Sequence, residues 1–540
     1  MNVVGGKRNW VMAVIAGLVW SCAFPPVDCL PVAWLTPALL LWVTCAPPKR
    51  AFQLGLAAGL AHYLSSLSWL LYIPVSPGNI AGWLVLSGYC SFYPALWAAF
   101  CWRLFPGDRE KPINEAIQEL QFSRRCAWGV ACALGWVALE CLRGWVITGF
   151  PWNYLGASQL EFMRLAQLAS FTGVLGISLV VAWVSVGGLL LFWRCQKEKR
   201  FQIQWLTELV GPLVLLLVAV VLGSVELSKP LPEKTGEIKI ALVQPSIPQT
   251  VLWDGNESEQ HNRFTQLMDL SDQAVEKEPD LLVWPEAAVP PMHILDPIIV
   301  SNRLSKLEAV IRRKGIWRVW GVDTVTNGVP FNSSVLLNPE GEALAVYSKQ
   351  HLVMFGEYVP FGEQFPFLKK LAPVGNFGRG KGPVIFDLGF AKTSVLICFE
   401  DVVPKLARRA AAEEVDFLLN LTNDGWFGNS HQQWQHARSA AWRAIETCRP
   451  LVRCTNNGIT CWVDERGRFH GVMQPVHSPG VRQVTVPIRK GPHGATFYQR
   501  HGDWLSWGSV VVCLGLLVAQ LLAQRMERKK GSASAGVPVK

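Results

Sequence analysis

The 540-residue sequence predicts a multi-span α-helical membrane domain joined to a domain of alternating β-strands and α-helices. Half of its residues are hydrophobic and only 17% are charged. The apolar residues gather in runs close to the ~20 residues that a membrane-spanning helix needs, and these fill the first 230 positions and recur near the C-terminus. Between them, short β-favouring runs alternate with helical patterns and Pro- or Gly-broken loops.

In chain order, spans are expected at 10–24, 31–46, 52–73, 80–102, 127–147, 167–193 and 205–227, with an eighth at 504–524. Basic residues cluster on alternate sides of these runs. With the N-terminus inside, the inner segments hold Lys7 and Arg8, Lys49 and Arg50, then Arg103, Arg109, Lys111, Arg124 and Arg125. Arg194, Lys197, Lys199 and Arg200 follow, and Arg525, Arg528, Lys529 and Lys530 close the chain. The alternate segments 25–30, 74–79 and 148–166 hold only Arg164. Both termini are therefore expected in the cytoplasm, and the polar stretch 237–503 on the outer face. The boundaries that follow are a membrane domain over 1–230, an outer domain over 237–503, a last span over 504–525 and a basic tail over 526–540. Much of the formal charge of +10 lies in these orienting loops, so it requires no nucleic-acid partner.

The outer domain begins with a strand in "IKIALVQPSIP" (238–248) and a second in "DLLVWPEAAVP" (280–290). A hairpin is expected over 332–349, turning at Pro339 to Gly341. "TSVLICFED" (393–401) reads as a strand followed by a helix, and "VDFLLNLTNDGWFG" as a strand leading into a loop. A helix is expected over about 432–447, then two strands flanking "NNG" at 456–458. The Gly/Ser/Ala-rich stretch 531–536 reads as unstructured.

Strand ends are where such domains collect chemistry, and three of them carry Glu286, Lys349 and Cys398. A thiol is mostly protonated at neutral pH and needs a base to become a nucleophile. A carboxylate can take its proton, and an ammonium can stabilise the oxyanion formed on attack at a carbonyl. By spacing alone Cys398 reads equally well as a core filler, since the chain has 14 cysteines.

Motif context separates the two readings. "VWPEAAVP", "YSKQHLVMFGEYVPFGE" and "LICFEDVVP" resemble the three segments of the nitrilase superfamily that bear its Glu, Lys and Cys, in that chain order. Together with the spans, and with "GFPWNYLG", "VQPSIPQ", "TNDGWFG" and "TFYQRHGDW", the chain resembles the bacterial apolipoprotein N-acyltransferases over nearly its whole length. The resemblance implies a nitrilase-like α-β-β-α sandwich facing the periplasm from the inner membrane. It implies Glu286 as general base, Lys349 as oxyanion stabiliser and Cys398 as the residue acylated. Glu357, Glu400, Trp253 and Asn332 match supporting positions, and Phe399 stands where the family is expected to have tyrosine. The implied donor is a phospholipid, typically phosphatidylethanolamine, and the implied acceptor is a diacylglyceryl apolipoprotein.

Other features carry weaker expectations. The segment from Phe355 to Gly380 is expected to dip into the membrane and guide acyl chains. Glu140 and Arg143 are expected to form a structural ion pair, and His62 to pack between helices. His431 and His436 lack metal-ligand spacing, and no metal or cofactor is expected. Cys448, Cys454 and Cys461 could hold one disulfide or stay free. Two rival functions are a membrane-anchored amidase and a transporter. The transporter predicts internal symmetry that the sequence lacks.

Overall fold

The computed structural model describes residues 6–196, 206–254, 256–289, 297–360, 362, 364–365, 376–412, 414–489 and 495–534. Within them, five helices are long and apolar enough to cross a membrane: Gly78–Arg103, Phe122–Arg143, Val174–Cys195, Thr207–Ser228 and the apolar part of the last helix, Trp504–Glu527. The first three expected spans form shorter or less apolar helices, Gly6–Ser21, Leu30–Val43 and Pro48–Ser66, the last continued by a 3-10 turn over Ser68–Tyr72. Pro48–Ser66 is less apolar because it carries Lys49, Arg50, Gln53 and His62, and small residues pack it. Its Gly55 and Gly59 lie against Ala95, Pro94 and Ser91 of the next helix, where any side chain would collide. Large apolar side chains such as Val214, Leu217, Val221, Val511 and Leu514 stand on the outside of the last helices, as a bilayer-facing surface requires.

The expected span 167–193 starts later than its apolar run. Gly173, at φ +69°, caps Val174–Cys195, and two short helices, Met163–Ala166 and Ala169–Thr172, precede it. The last helix runs from Trp504 to Ser534, so the unstructured reading of 531–536 is corrected as far as Ser534. The helix simply propagates out of its long apolar stretch. Lys197, Lys199 and Arg200 lie outside the described residues.

Among the described residues, the segment 234–489 forms twelve strands in two sheets. They are β1 (Lys234–Gln244), β2 (Leu281–Val283), β3 (Trp317–Thr326), β4 (Val329–Leu337), β5 (Ala343–Ser348) and β6 (Ile385–Asp387). Then come β7 (Lys392–Ile397), β8 (Phe417–Thr422), β9 (Leu451–Thr455), β10 (Cys461–Val463), β11 (Phe469–His470) and β12 (Gly480–Arg489). One sheet has the order β12-β1-β2-β3-β4-β5 and the other β11-β10-β9-β8-β7-β6. The central strands β1–β2–β3 and β7–β8–β9 are parallel, and the flanking pairs antiparallel. The expected hairpin is β4–β5. The sequence reading missed the β3–β4 hairpin around Asn327 and Gly328, and also β12, which pairs along the whole of β1.

Period-two alternation explains the layers. Ile238, Ile240 and Leu242 of β1 meet Val395 and Ile397 of β7 between the sheets. Ala241 and Val243 face the opposite way, onto the helices Glu257–Glu276 and Pro297–Lys314. Leu396, Leu418 and Leu451 face the fourth layer, the helices Pro404–Ala410 and Gln432–Thr447, which joins the membrane helices in one continuous apolar core. The result is the α-β-β-α sandwich, with one helical layer seated on the membrane domain. Helix Glu257–Glu276 was not anticipated, although Asn256 and Glu259 spell a reciprocal N-terminal capping box.

Glycine at 321 matters because β3 approaches the end of β2 closely there. A Cβ at this position would stand 2.0 Å from the Pro285 carbonyl oxygen and 2.9 Å from Glu286 Cα. Gly321→Ala is expected to cost about 1–3 kcal/mol through overpacking, lowering the thermal midpoint by roughly 2–4 °C per kcal/mol. Thermal melts of the purified variant check this; an unchanged midpoint would refute the close approach.

Candidate active site

Each of the three chemically apt residues follows a strand: Glu286 lies just past β2, Lys349 directly after β5 and Cys398 directly after β7. Lys349 is almost fully buried, and its Nζ donates to Glu357 Oε1 at 2.8 Å and to Glu286 Oε1 at 3.4 Å. Asn332 Nδ2 donates to the same two oxygens, at 2.8 Å to Glu286 and 2.9 Å to Glu357. Glu286 Oε2 accepts from the Asn423 backbone at 2.9 Å, and Glu357 Oε2 from the Val353 backbone at 2.9 Å. Burial works against the Lys349 charge, but Glu357 and Glu286 outweigh it and hold the ammonium well above its ordinary range.

Cys398 opens the turn Cys398–Val402 with φ +53°, a left-handed conformation that a side chain adopts at a cost. Neighbours hold it there. Asn420 Nδ2 donates to the carbonyls of Cys398 (3.1 Å) and Leu396 (3.3 Å). Burial pushes the thiol well above its usual range and Glu286 adds to this, while Lys349 opposes it. The resting sulfur is thus a thiol, with the Glu286 carboxylate acting on it. That set can deprotonate a nucleophile on demand and stabilise an oxyanion.

Glu400 does a different task from Glu357. It accepts from the Tyr347 hydroxyl (2.7 Å) and from the backbones of Ile397 (2.8 Å), Gln350 (2.6 Å) and His351 (2.9 Å). It therefore clamps the Cys398 strand end to the chain just after Lys349. Phe399 sits in a pile of rings: Phe150 at 6.0 Å, Trp152 at 6.1 Å and His351 at 5.8 Å, centroid to centroid. Two of these come from "GFPWNYLG", just past the C-terminal end of helix Phe122–Arg143, so the membrane domain contributes to the site wall. Trp253 falls in helix Gln249–Asp254, and its side chain lies outside the described residues.

The expected Glu140–Arg143 pair is not found among the described residues. Glu140 instead accepts from the Leu155 backbone (2.7 Å), and Arg143 donates to the Phe150 (3.1 Å) and Trp152 (2.5 Å) carbonyls. The two residues brace the segment that carries those rings. His62 stacks on Trp20 at 3.7 Å as a helix-packing residue. Cys448, Cys454 and Cys461 are free thiols. Of the segment 355–380, positions 361, 363 and 366–375, Phe367 included, lie outside the described residues.

One cluster was missed altogether. His436 Nε2 meets Asp401 Oδ1 at 2.8 Å and its Nδ1 meets Asp424 Oδ1 at 2.7 Å. Arg453 also bonds Asp401 and lies 3.8 Å from Asp424. All four side chains are buried. The cluster ties the Cys398 turn, through Asp401, to the loop after β8, through Asp424. The sequence signal was the two acids in "CFED" and "TNDG", but nothing local pairs them with a helical histidine.

His436 yields a pH prediction. Burial opposes its charge, but Asp401 and Asp424 prevail and push it up to about 9, against an ordinary 6.5. A base whose folded pKa exceeds its unfolded one contributes stability that is complete below about 6.5 and is lost as pH rises through about 9. The stability gap between the protein and His436→Gln, on the order of 2–3 kcal/mol at pH 6, is expected to shrink across pH 7–10 in thermal melts. A constant gap would contradict the charged pairing.

Comparison with known proteins agrees with this architecture. Residues 239–488 match the model of the carbon-nitrogen hydrolase family, and residues 16–187 that of the apolipoprotein N-acyltransferase N-terminal domain. The chain is 33% identical to an apolipoprotein N-acyltransferase from Geobacter metallireducens, covering 96% of both chains. It is 31% identical to one from Vibrio parahaemolyticus, covering 96% of this chain and 97% of the relative. Among solved structures, a mutant amidase of the nitrilase superfamily from Nesterenkonia aligns at 21% identity and TM-score 0.36, covering 52% of this chain and 99% of its own. With full-length relatives at this identity and both halves matched by their family models, the chain belongs to the apolipoprotein N-acyltransferase family.

Proposed function

We propose that this enzyme moves an acyl chain from a membrane phospholipid, through a thioester on Cys398, to the α-amine of the N-terminal S-diacylglyceryl-cysteine of a lipoprotein. The observation that carries the reading is the buried Glu286–Lys349–Glu357 set facing a raised Cys398 thiol. Glu286 takes the thiol proton as sulfur attacks the donor's acyl carbonyl. Lys349 and the Phe399 backbone N–H hold the oxyanion. Its collapse breaks the ester, and Glu286 returns the proton to the departing lysophospholipid. The lipoprotein amine then attacks the thioester, loses a proton to Glu286, and leaves as an amide while Cys398 is reprotonated.

Glu286, rather than Glu357, is assigned as base because it makes the longer contact with Lys349, 3.4 Å against 2.8 Å, and so is the less firmly engaged of the two carboxylates. Glu357 and Asn332 then position Lys349 and Glu286, and Glu400 positions the Cys398 turn. Because the Phe399 side chain stacks among rings and makes its proposed contribution through the backbone, a phenol at this position is dispensable.

Phosphatidylethanolamine is the proposed donor, cleaved at sn-1. The proposed setting is the bacterial inner membrane, with eight spans, the 237–503 domain in the periplasm and both termini in the cytoplasm. The alternation of loop charge supports this orientation, and so does the seating of one sandwich layer on the outer ends of the helices. The proposed guide for acyl chains is the segment from Phe355 to Gly380, of which Phe365 is half exposed.

Incubation of the purified protein with phosphatidylethanolamine, without acceptor, is expected to place a hydroxylamine-sensitive acyl group on Cys398, seen by peptide mass spectrometry. Cys398→Ala gives none, and Glu286→Gln slows its appearance about 10²–10⁴-fold. Acylation of folded Glu286→Gln at the normal rate would overturn the assignment of the base.

A further inference from the structure

The rim of the site carries cations that the acyl-transfer chemistry does not use. Lys405 lies one short turn beyond Cys398, with its Nζ 4.4 Å from the centre of the Trp145 ring. Trp145 packs edge-on to Trp507 at 5.5 Å, and both rings, with Trp504, are about two-fifths exposed at the outer ends of membrane helices. Tryptophans so placed mark the headgroup level of a bilayer. Lys405 therefore stands at that level, its ammonium over an aromatic face.

Arg379 approaches from the other chain segment at the rim. Its guanidinium lies 5.2 Å from the Tyr358 ring centre. Its neighbour Gly380 donates to the Lys349 carbonyl at 2.8 Å, and Phe377 donates to the Glu357 carbonyl at 3.1 Å, so Arg379 is fixed against the catalytic strand end. Both cations act on His351, the ring stacked on Phe399. Burial, then Lys349, Lys405 and Arg379 together hold that imidazole down to about 4. Arg409, one turn after Lys405, repels it, and Asp503, the acid that acts on Lys405, accepts the Tyr498 hydroxyl at 2.7 Å. Among the described residues, no ion pair joins Lys405, Arg379 or Arg409 to an acid.

Cations with no ion-pair partner among the described residues, at the headgroup level and beside a site whose interior sets two acids against one ammonium, suit an anion held outside the reacting centre. We infer that Lys405 and Arg379 hold the phosphate of the donor lipid, fixing the depth at which its acyl ester meets Cys398. The inference rests on the reading of Cys398 as acceptor of a lipid acyl chain. The shared chemistry is a phosphate, and the membrane level of Lys405 favours a lipid phosphodiester over a free ion.

The test separates this from the acyl transfer itself by using lipids without an ester to cleave. Binding of the dialkyl-ether analogue of phosphatidylethanolamine and of the matching dialkylglycerol, which lacks phosphate, is measured by native mass spectrometry on the full-length protein in detergent. The protein is expected to prefer the phosphate-bearing lipid about tenfold. Lys405→Gln combined with Arg379→Gln abolishes the preference, and Lys405→Arg keeps it. Equal affinity for both lipids, a preference that survives in the double variant, or displacement of the ether lipid by inorganic phosphate would each overturn the inference. Failure of Cys398 to become acylated by an ester lipid would instead refute the proposed function.

Discussion

The ammonium of Lys349, buried between Glu286 and Glu357, is the contact on which the site depends. A lone charge at this depth would be strongly disfavoured, and removing one partner of a buried pair commonly costs about 3–5 kcal/mol. Three loops are thereby obliged to meet: the ends of β2 and β5 and the segment around Glu357. Asn332 completes the arrangement by donating to both carboxylates. Cys398 arrives from the other sheet, and the Glu400 clamp and the His436 cluster set its turn against this centre. The sandwich core positions chemistry that neither sheet contains alone.

The membrane domain is part of the site as well as its support. Helix Gln432–Thr447 is buried along nearly its whole length between the second sheet and the membrane helices, and its small residues, Ala437, Ala440, Ala441 and Ala444, make the close approach possible. Gln435 on this helix accepts from Trp69 (3.2 Å) and Trp152 (2.7 Å) and donates to the Pro25 carbonyl (2.9 Å). The next residue, His436, faces the Cys398 loop. A displacement of the membrane domain is thus felt within one residue of the groups that hold the nucleophile's turn. Trp152 bridges the same parts through its contacts with Phe399 and His436.

Much of this was legible in the sequence because it is encoded locally. Apolar run length and loop charge give a helical membrane domain, and Glu286, Lys349 and Cys398 each follow a run that reads as a strand. The cut between helix and turn at Gly173 was not legible, since the apolar composition continues across it while only the backbone changes. Glu400 could be matched as an acid near the nucleophile, but its task as a clamp depends on Tyr347 and two backbone amides from another hairpin. Likewise, Asp401, Asp424, His436 and Arg453 lie on four elements, and only the packed sandwich makes them one cluster. Glu140 and Arg143 illustrate the opposite error: helical spacing suggested a pair, yet unsatisfied backbone groups at the end of a membrane helix compete more strongly for both.

The claim that Cys398 carries the acyl group between two lipid-bearing substrates is tested most directly in the second half-reaction. Enzyme acylated on Cys398 is freed of phospholipid and mixed with a diacylglyceryl-cysteine peptide, and thioester, amide and free fatty acid are followed together. The account predicts that one amide forms for each thioester lost, at the same rate, with fatty acid negligible. Release of fatty acid without amide would make the protein a hydrolase, and a thioester unaffected by the peptide would remove Cys398 from the path of transfer.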